Sequence, residues 1–132
     1  MWNYTWQPLL GRILLAAIFL VSGVQKIAGF AGTAGFMASK GLPMVPVLLT
    51  ATIVVEIVAA ALVIVGYKAR WAALALLVFT AIVTVIFHNF WALTGADFRM
   101  QQIQFTKNLA IIGGLLAIMA FGPGRWSLDA KA

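Results

Sequence analysis

The stretch that decides the fold is residues 47–65, VLLTATIVVEIVAAALVIV, in which Glu56 is the one charged residue. About 20 apolar residues, at a rise of about 1.5 Å each, span a hydrocarbon core of roughly 30 Å, so this stretch predicts a transmembrane helix. Glu56 then lies near the middle of the membrane. An ionisable group at that depth costs at least about 2.5 kcal/mol and normally faces the protein interior, which makes Glu56 a candidate functional residue.

The composition of the chain is that of an integral membrane protein. Of its 132 residues, 64% are hydrophobic and 9% are charged, whereas a soluble domain has about 45–50% apolar and about 25% charged residues. The formal net charge is +6. Because the basic residues fall at helix ends and in connections, the bilayer and its anionic headgroups account for them, and we expect no nucleic-acid partner.

The chain has no cysteine and one histidine. This excludes disulfide exchange, thiolate-bound iron–sulfur clusters and covalently attached haem, and we expect neither a metal site nor a covalent cofactor. Any redox centre must therefore be a bound organic molecule, such as a quinone, or belong to a partner protein.

Three more apolar segments accompany the opening stretch. Approximate spans at 9–27, 47–65, 71–90 and 101–121 predict an all-α membrane protein, a four-transmembrane-helix antiparallel bundle formed by one domain, residues 1–132. A cleaved signal peptide at the N-terminus is the alternative for the first span, but Val24, Gln25 and Lys26 follow it instead of a small-residue cleavage site.

The connections carry further signals. Trp2, Tyr4 and Trp6 precede the first span as an interfacial aromatic belt would. The glycine- and proline-rich segment 28–46 contains apolar residues at helical spacing, which predicts a short interfacial helix. In the last span, Gly113 and Gly114, with Ala110 and Ala117, predict a face for close helix packing. From residue 122 onward we expect a short tail.

Four spans place both termini on one side of the membrane. Basic residues are more frequent at that side once those within helices are set aside, so the positive-inside rule predicts that both termini lie in the cytoplasm. The same topology brings the end of the first and third spans and the start of the second and fourth to the opposite side.

Polar residues therefore converge in one half of the bundle, where we predict a pocket that ends at a carboxylate. The candidate ligand-binding and proton-relay residues are Glu56, Lys26, His88, Lys107, Asn108 and Gln104. Simpler roles remain open: an ion pair of Glu56 with Lys26 or Lys107, lysines that snorkel to the interface, or a static hydrogen-bonded network. The sequence does not assign a catalytic role to any of them.

A pocket of this kind suits proton-coupled binding. Burial disfavours a charged carboxyl group and a nearby cation favours it, so Glu56 can exchange a proton when a ligand enters. Histidine titrates near neutrality and can connect the pocket to water. A ligand with paired oxygens, such as a quinone or a small carboxylate, fits these groups.

Several motifs in this order resemble the DoxX family of small bacterial four-helix membrane proteins. They are GRILLAAIFLVSGVQKIAGFAGTAGFMASKGLP, VVEIVAAALVIVGYKAR around Glu56, FHNFW, QQIQFTKNLAIIGGLL and GPGRWSL. The resemblance extends from residue 11 to residue 129. It places Lys26, Glu56, His88, Lys107 and Asn108 on the family's characteristic polar positions. It also implies a link to quinone-reducing, thiosulfate-oxidising complexes and to oxidative-stress assemblies in the membrane.

Three functional hypotheses follow. The first is a redox-associated accessory subunit of the bacterial inner membrane that binds a quinone-like or small acidic ligand, with oxidoreductase subunits or a second copy of the chain as partners. The chain has no residue set for sulfur or haem chemistry, so a stand-alone enzyme is not expected. The second is a small proton-coupled transporter, which would need a second half supplied by a dimer. The third is a structural membrane scaffold.

Overall fold

The computed structural model describes residues 5–131 and confirms an all-α fold with four helices that are long and apolar enough to cross a membrane. No strand occurs within the described residues. The longer helices are α1 (Gln7–Ala28), α2 (Phe30–Ser39), α3 (Val45–Val65), α4 (Ala69–Phe87) and α5 (Gly95–Phe121). Helices α1, α3, α4 and α5 are the four spans, and α2 is the short helix expected between the first two.

The helix ends follow from local chemistry. Pro8 lies in the first turn of α1, where its missing N–H group costs no hydrogen bond. Gly66 and Lys68, with φ of 72° and 47°, form the tight turn between α3 and α4. This turn is too short for any arrangement other than two antiparallel neighbours.

The third and fourth spans differ at their ends from the sequence expectation. Helix α4 ends at Phe87 and is followed by a single 3-10 turn, Phe90–Ala92. Helix α5 already begins at Gly95, ahead of the expected start of the fourth span at residue 101. It carries Asp97 in its first turn, where a negative charge complements the helix dipole. At about 1.5 Å per residue, α5 exceeds the roughly 30 Å hydrocarbon core, so its polar first turns can lie outside it.

Helix α3 changes its winding around Glu56. Its first part, Val45–Val54, is α-helical, Val55–Ala59 forms a π-helical turn, and Ala60–Val65 is α-helical again. A π turn inserts an extra residue into the helix and shifts the direction of the side chains that follow it; such turns are frequent at functional sites. The one acidic residue of α3 therefore lies in its one irregular turn.

The helices pack in chain order, with α3 between α1 and α4, and α4 between α3 and α5. The backbones of α1 and α5 are farther apart than those of these neighbouring pairs, although the Leu15 side chain reaches Gly114. The buried core is apolar and lies mainly in the half of the bundle that contains the termini; its fully buried members are Ala16, Ala60, Val63, Ala69, Ala73, Leu76 and Leu115. Large apolar side chains cover the outside, as expected of a surface that faces lipid.

The small residues of α5 are used only in part for packing within the chain. Gly114 faces α1, where an added Cβ would lie 3.3 Å from the side chain of Leu15. Gly113 has open space at that position, and Ala110 and Ala117 are exposed. The predicted small-residue face thus contributes one close contact to this bundle through Gly114.

The C-terminal segment packs on the bundle instead of leaving it as a free tail. Arg12, which is 1% exposed, donates hydrogen bonds to the carbonyl oxygens of Val63 (3.0 Å), Ile64 (2.6 Å) and Trp126. Arg12 thus binds the carbonyl groups at the end of α3 and fixes the C-terminal segment against them.

Asp129 completes this attachment. Its two carboxylate oxygens accept hydrogen bonds from the backbone N–H groups of Lys68 (2.7 Å) and Ala69 (2.9 Å), which lie at the N-terminus of α4. Asp129 thus caps the N-terminus of α4, although it is far from that helix in the sequence. At the other terminus, Trp6 is half-exposed, while Trp2 and Tyr4 of the predicted aromatic belt lie outside the described residues.

Candidate functional site

A cavity of about 370 Å³ lies between the spans in the half of the bundle where α1 ends and α3 begins. Its lining comes from all five helices. The structure brings all six sequence-predicted residues to this one cavity: Lys26, Glu56, His88, Gln104, Lys107 and Asn108. The core that surrounds Val63 and Leu76 closes the bundle on the other side of Glu56, so the polar pocket occupies one half of the bundle, as predicted.

Glu56 is paired with Lys26. Its side chain is 2% exposed, and its Oε1 atom lies 2.7 Å from Nζ of Lys26, which also donates a 2.5 Å hydrogen bond to Oγ of Ser22. Ser22 and Lys26 lie one turn apart on α1, so the hydroxyl group helps to hold the ammonium group toward α3. Of the two lysines considered as partners of Glu56, the structure selects Lys26.

The second oxygen of Glu56 is unsatisfied. Oε2 is buried and has no hydrogen-bond partner within residues 5–131. A buried acceptor without a partner costs about 1–3 kcal/mol, and more when it is charged. Glu56 forms part of the cavity wall, so a ligand that places a donor beside Oε2 would remove this cost.

Lys107 is the second cation of the cavity. It approaches from α5, is exposed, and makes no hydrogen bond or ion pair within the described part of the chain. The cavity therefore contains two lysines and one carboxylate, which leaves one positive charge in excess. Gln104 lies one turn earlier on α5 and adds an amide group to the same wall.

His88 is fixed by the start of α5. Its Nδ1 atom lies 2.6 Å from Oε1 of Gln101. An amide oxygen only accepts hydrogen bonds, so Nδ1 carries the proton in this contact, and a neutral ring then has an acceptor at Nε2. Gln101 is not one of the six residues predicted for the pocket.

Asn108 is part of a hydrogen-bonded chain along α4. Its Nδ2 group donates to Oγ1 of Thr84 (2.9 Å), Thr84 donates to the carbonyl oxygen of Thr80 (2.6 Å), and Thr80 donates to that of Leu76 (2.6 Å). This arrangement joins α5 to α4 across a buried interface. Asn108 therefore has a structural role in addition to its position at the cavity.

The remaining lining is mostly apolar. Phe36 of α2 contacts Phe87 at the end of α4, with ring centroids 5.7 Å apart, and the two rings form part of the wall. Sequence reasoning missed the contribution of α2 and the small hydroxyl residues. The lining residues that it did not identify are Ile18, Phe19, Ser22, Thr33, Phe36, Met37, Thr52, Phe79, Thr80, Val83, Phe87 and Ile111.

Close approach of α1 and α3 positions the ion pair. Gly23 lies against the π turn, and a Cβ atom there would come within 2.6 Å of Cγ1 of Ile57 and 3.5 Å of Cβ of Glu56. The absence of a side chain at residue 23 thus lets α1 approach the turn that carries Glu56. The pair between Lys26 and Glu56 depends on this small distance between the helices.

Comparison with known proteins identifies similar membrane proteins. Residues 7–89 match the family described as DoxX. The chain is 37% identical to Inner membrane protein YphA of Escherichia coli, over 93% of this chain and 88% of that protein. It is 33% identical to Inner membrane protein YqjF of the same organism, over 92% and 88%.

More distant similarity extends to eukaryotes. A Surfeit locus protein 4 homolog of Schizosaccharomyces pombe is 29% identical over 96% of this chain and 38% of that protein. No solved structure matches the chain.

Proposed function

Because the chain belongs to the DoxX family of membrane proteins, we propose that it binds a quinone-like or small acidic ligand in the cavity beside Glu56. In this proposal it acts as an accessory subunit of a quinone-linked oxidoreductase, with no catalytic residue of its own. The quinone is a dissociable ligand of the cavity. In this proposal the protein lies in the bacterial inner membrane, because its two E. coli relatives are named inner membrane proteins. Both termini lie in the cytoplasm.

The observation that carries this proposal is the imbalance of polar groups around the cavity. Within residues 5–131, Lys107 has no hydrogen-bond or ion-pair partner, and Oε2 of Glu56 is buried without a hydrogen-bond partner. Polar groups in a membrane interior are costly unless they are paired, and unpaired ones are characteristic of ligand and ion sites. An oxygen acceptor on a head group would satisfy Lys107, and a hydroxyl donor on it would satisfy Oε2 of Glu56, while the phenylalanine and valine side chains of the wall would contact its ring.

The structure offers less support for the two alternative functions. A permeation path would have to continue past Glu56, yet the next residues inward are tightly packed and apolar, including Ala60, Val63 and Leu76. A purely structural scaffold accounts for the pair of Lys26 and Glu56. It does not account for Oε2 of Glu56, which is buried at the cavity wall without a hydrogen-bond partner in the described residues.

The direct test is native mass spectrometry of the gently solubilised full-length protein, followed by extraction and identification of lipids and quinones. We expect a stoichiometric small molecule on the wild type that is lost in Lys107→Ala. Arg99→Ala serves as the control, because Arg99 is an exposed basic residue of the same helix that does not line the cavity.

A wild-type protein that is empty as isolated, and that stays empty when a short-chain quinone or a small carboxylate is added, would contradict the proposal. Flux of protons or of a carboxylate through proteoliposomes that contain the purified protein would instead establish the transporter hypothesis. Co-purification of an oxidoreductase from the native membrane tests the role as an accessory subunit.

A further inference from the structure

We infer that the cavity prefers the reduced, hydroxyl-bearing form of a ring ligand over its oxidised form, which has only carbonyl groups. This inference rests on the proposed function, and it specifies which chemical form of the ligand the site selects. It depends on which polar atoms of the cavity are acceptors in need of a donor.

Glu56 supplies the first such acceptor. Lys26 already donates to Oε1, and Oε2 has no donor within the described residues. A quinone has two carbonyl oxygens and can only accept hydrogen bonds, so it would leave Oε2 unsatisfied and bring a further oxygen toward it. A hydroquinone hydroxyl group can donate to Oε2, which gives a short, charge-assisted hydrogen bond.

His88 supplies the second acceptor. Its Nδ1–H group is directed at Oε1 of Gln101, so the neutral ring has its lone pair at Nε2. No described residue donates to Nε2. A ligand with two hydroxyl groups has a donor for each of these two acceptors, whereas a quinone has none.

The donors of the cavity do not discriminate between the two forms. Lys107 and the amide group of Gln104 can donate to a carbonyl oxygen or to a hydroxyl oxygen, since both carry lone pairs. The difference in affinity must therefore come from Glu56 and His88, whose acceptors are satisfied by the reduced form alone.

The same argument separates a hydroxyl-bearing ring from an ionised carboxylic acid. A carboxylate ligand would satisfy Lys107, but it would place a second negative charge beside Glu56 and offers no donor to it. Three phenylalanines, Phe36, Phe79 and Phe87, also contribute to the wall, and they favour an aromatic ring over a small acid.

The test compares three ligands that share one alkyl-substituted ring: the 1,4-hydroquinone, the corresponding quinone, and the dimethyl ether of the hydroquinone. The ether keeps the shape of the ring and its oxygen atoms but has no donor. Each is titrated into the purified full-length protein without oxygen, and binding is measured by native mass spectrometry. We expect the hydroquinone to bind at least roughly tenfold more tightly than either other ligand, as one charge-assisted hydrogen bond permits.

Glu56→Gln sharpens the test, because the amide keeps an acceptor for Lys26 and replaces the free oxygen with a donor. We expect this variant to lose most of the preference for the hydroquinone. Asp97→Asn is the matched control, since it makes the same exchange at an exposed position on α5, and its preference should equal that of the wild type. Should Glu56→Gln fail to fold, the three ligands on the wild type still decide the question.

The outcomes separate the inference from the proposed function. Equal or tighter binding of the quinone by the wild type overturns the preference for the reduced form and leaves the ligand-binding function in place. Equal binding of the hydroquinone and its ether also overturns it, because the donors then contribute nothing. Absence of binding by all three ligands overturns the inference together with a quinone-like ligand.

Discussion

Nζ of Lys26 lies 2.7 Å from Oε1 of Glu56, and this pair joins the last turn of α1 to the π turn of α3 inside the membrane-spanning bundle. The acid is almost fully buried, whereas the lysine side chain is 24% exposed. Lys26 donates to Oε1 of the carboxylate, and the other oxygen, Oε2, has no hydrogen-bond partner within the described residues. The pair therefore stabilises the contact between two helices and at the same time leaves an unpaired acceptor on a residue of the cavity wall.

Removal of the lysine should destabilise the protein. Lys26→Met leaves the Glu56 carboxylate buried without a partner, and breaking a buried pair in this way costs about 3–5 kcal/mol. We expect a value near the lower end, because Lys26 is partly exposed. Thermal unfolding in detergent measures it, with Lys40→Met as the exposed control.

The double variant Lys26→Met, Glu56→Gln provides the check on this explanation. The Gln side chain is neutral, so the double variant should be more stable than Lys26→Met alone. A double variant that is as unstable as the sum of the two single variants would show that the residues do not interact.

Gly23→Ala should separate α1 from α3. The added Cβ would lie 2.6 Å from Cγ1 of Ile57, so either the helix or the side chain must move, and overpacking of this kind costs about 1–3 kcal/mol. We also expect weaker binding of the ligand, because the pair of Lys26 and Glu56 spans the same contact. Unfolding and ligand titration measure the two effects.

Gly32→Ala is the matched control for this prediction. Gly32 lies within α2 and has open space where a Cβ would be added, so alanine should leave stability unchanged or raise it by up to about 1 kcal/mol through helix propensity. Ile57→Ala combined with Gly23→Ala should restore ligand binding. Failure of this combination to do so would rule out the steric explanation.

Substitution of Thr84 and substitution of Asn108 should lower the free energy of unfolding by unequal amounts. Thr84→Val removes the acceptor and leaves the buried Asn108 amide without it, whereas Asn108→Ala leaves Thr84 still bonded to the carbonyl oxygen of Thr80. Hydrogen bonds between membrane helices contribute about 0.6 kcal/mol on average and up to about 1.7 kcal/mol. We expect the destabilisation by Thr84→Val to lie toward the upper of these two values.

Comparison with Thr106→Val controls for the general effect of this substitution, because Thr106 is exposed and bonds only to a carbonyl oxygen of its own helix. Unfolding in the same detergent gives both values. Equal stability of Thr84→Val and Thr106→Val would mean that the interhelical hydrogen bond has no net effect.

Arg12→Lys should loosen the C-terminal segment although the charge is kept. Arg12 uses two nitrogen atoms to reach carbonyl groups of α3 and of Trp126, and the single nitrogen of lysine cannot reproduce this fork. A lost hydrogen bond to a charged group is worth about 1.5–3 kcal/mol. We expect destabilisation of that order and faster proteolysis of the segment after residue 122.

Arg125→Lys is the control for this substitution, since Arg125 is exposed. Its stability and its rate of proteolysis should match those of the wild type. If Arg12→Lys behaves in the same way as Arg125→Lys, the buried fork is not what holds the C-terminal segment.

The sequence by itself determined the membrane environment, the four spans and the half of the bundle that is polar. These follow from the length of the apolar segments and from the alternation of direction between consecutive spans, both of which are local or topological properties. Residues far apart in the chain, such as Lys26 and Lys107, could be assigned to one side of the membrane in this way. The rise per residue of a helix indicates how deep each polar group lies along the membrane normal. It does not indicate the distances between these groups within the membrane plane.

Only the tertiary structure decided which groups pair. The choice of Lys26 over Lys107 as the partner of Glu56 depends on the approach of α1 that Gly23 allows and on the π turn that directs the carboxyl group. The attachment of Arg12 and Asp129 to the turn between α3 and α4 likewise joins residues more than fifty positions apart. Hydropathy fixes how deep a residue lies in the membrane, whereas helix rotation, helix spacing and local winding fix its neighbours, and these depend on packing among all the helices at once.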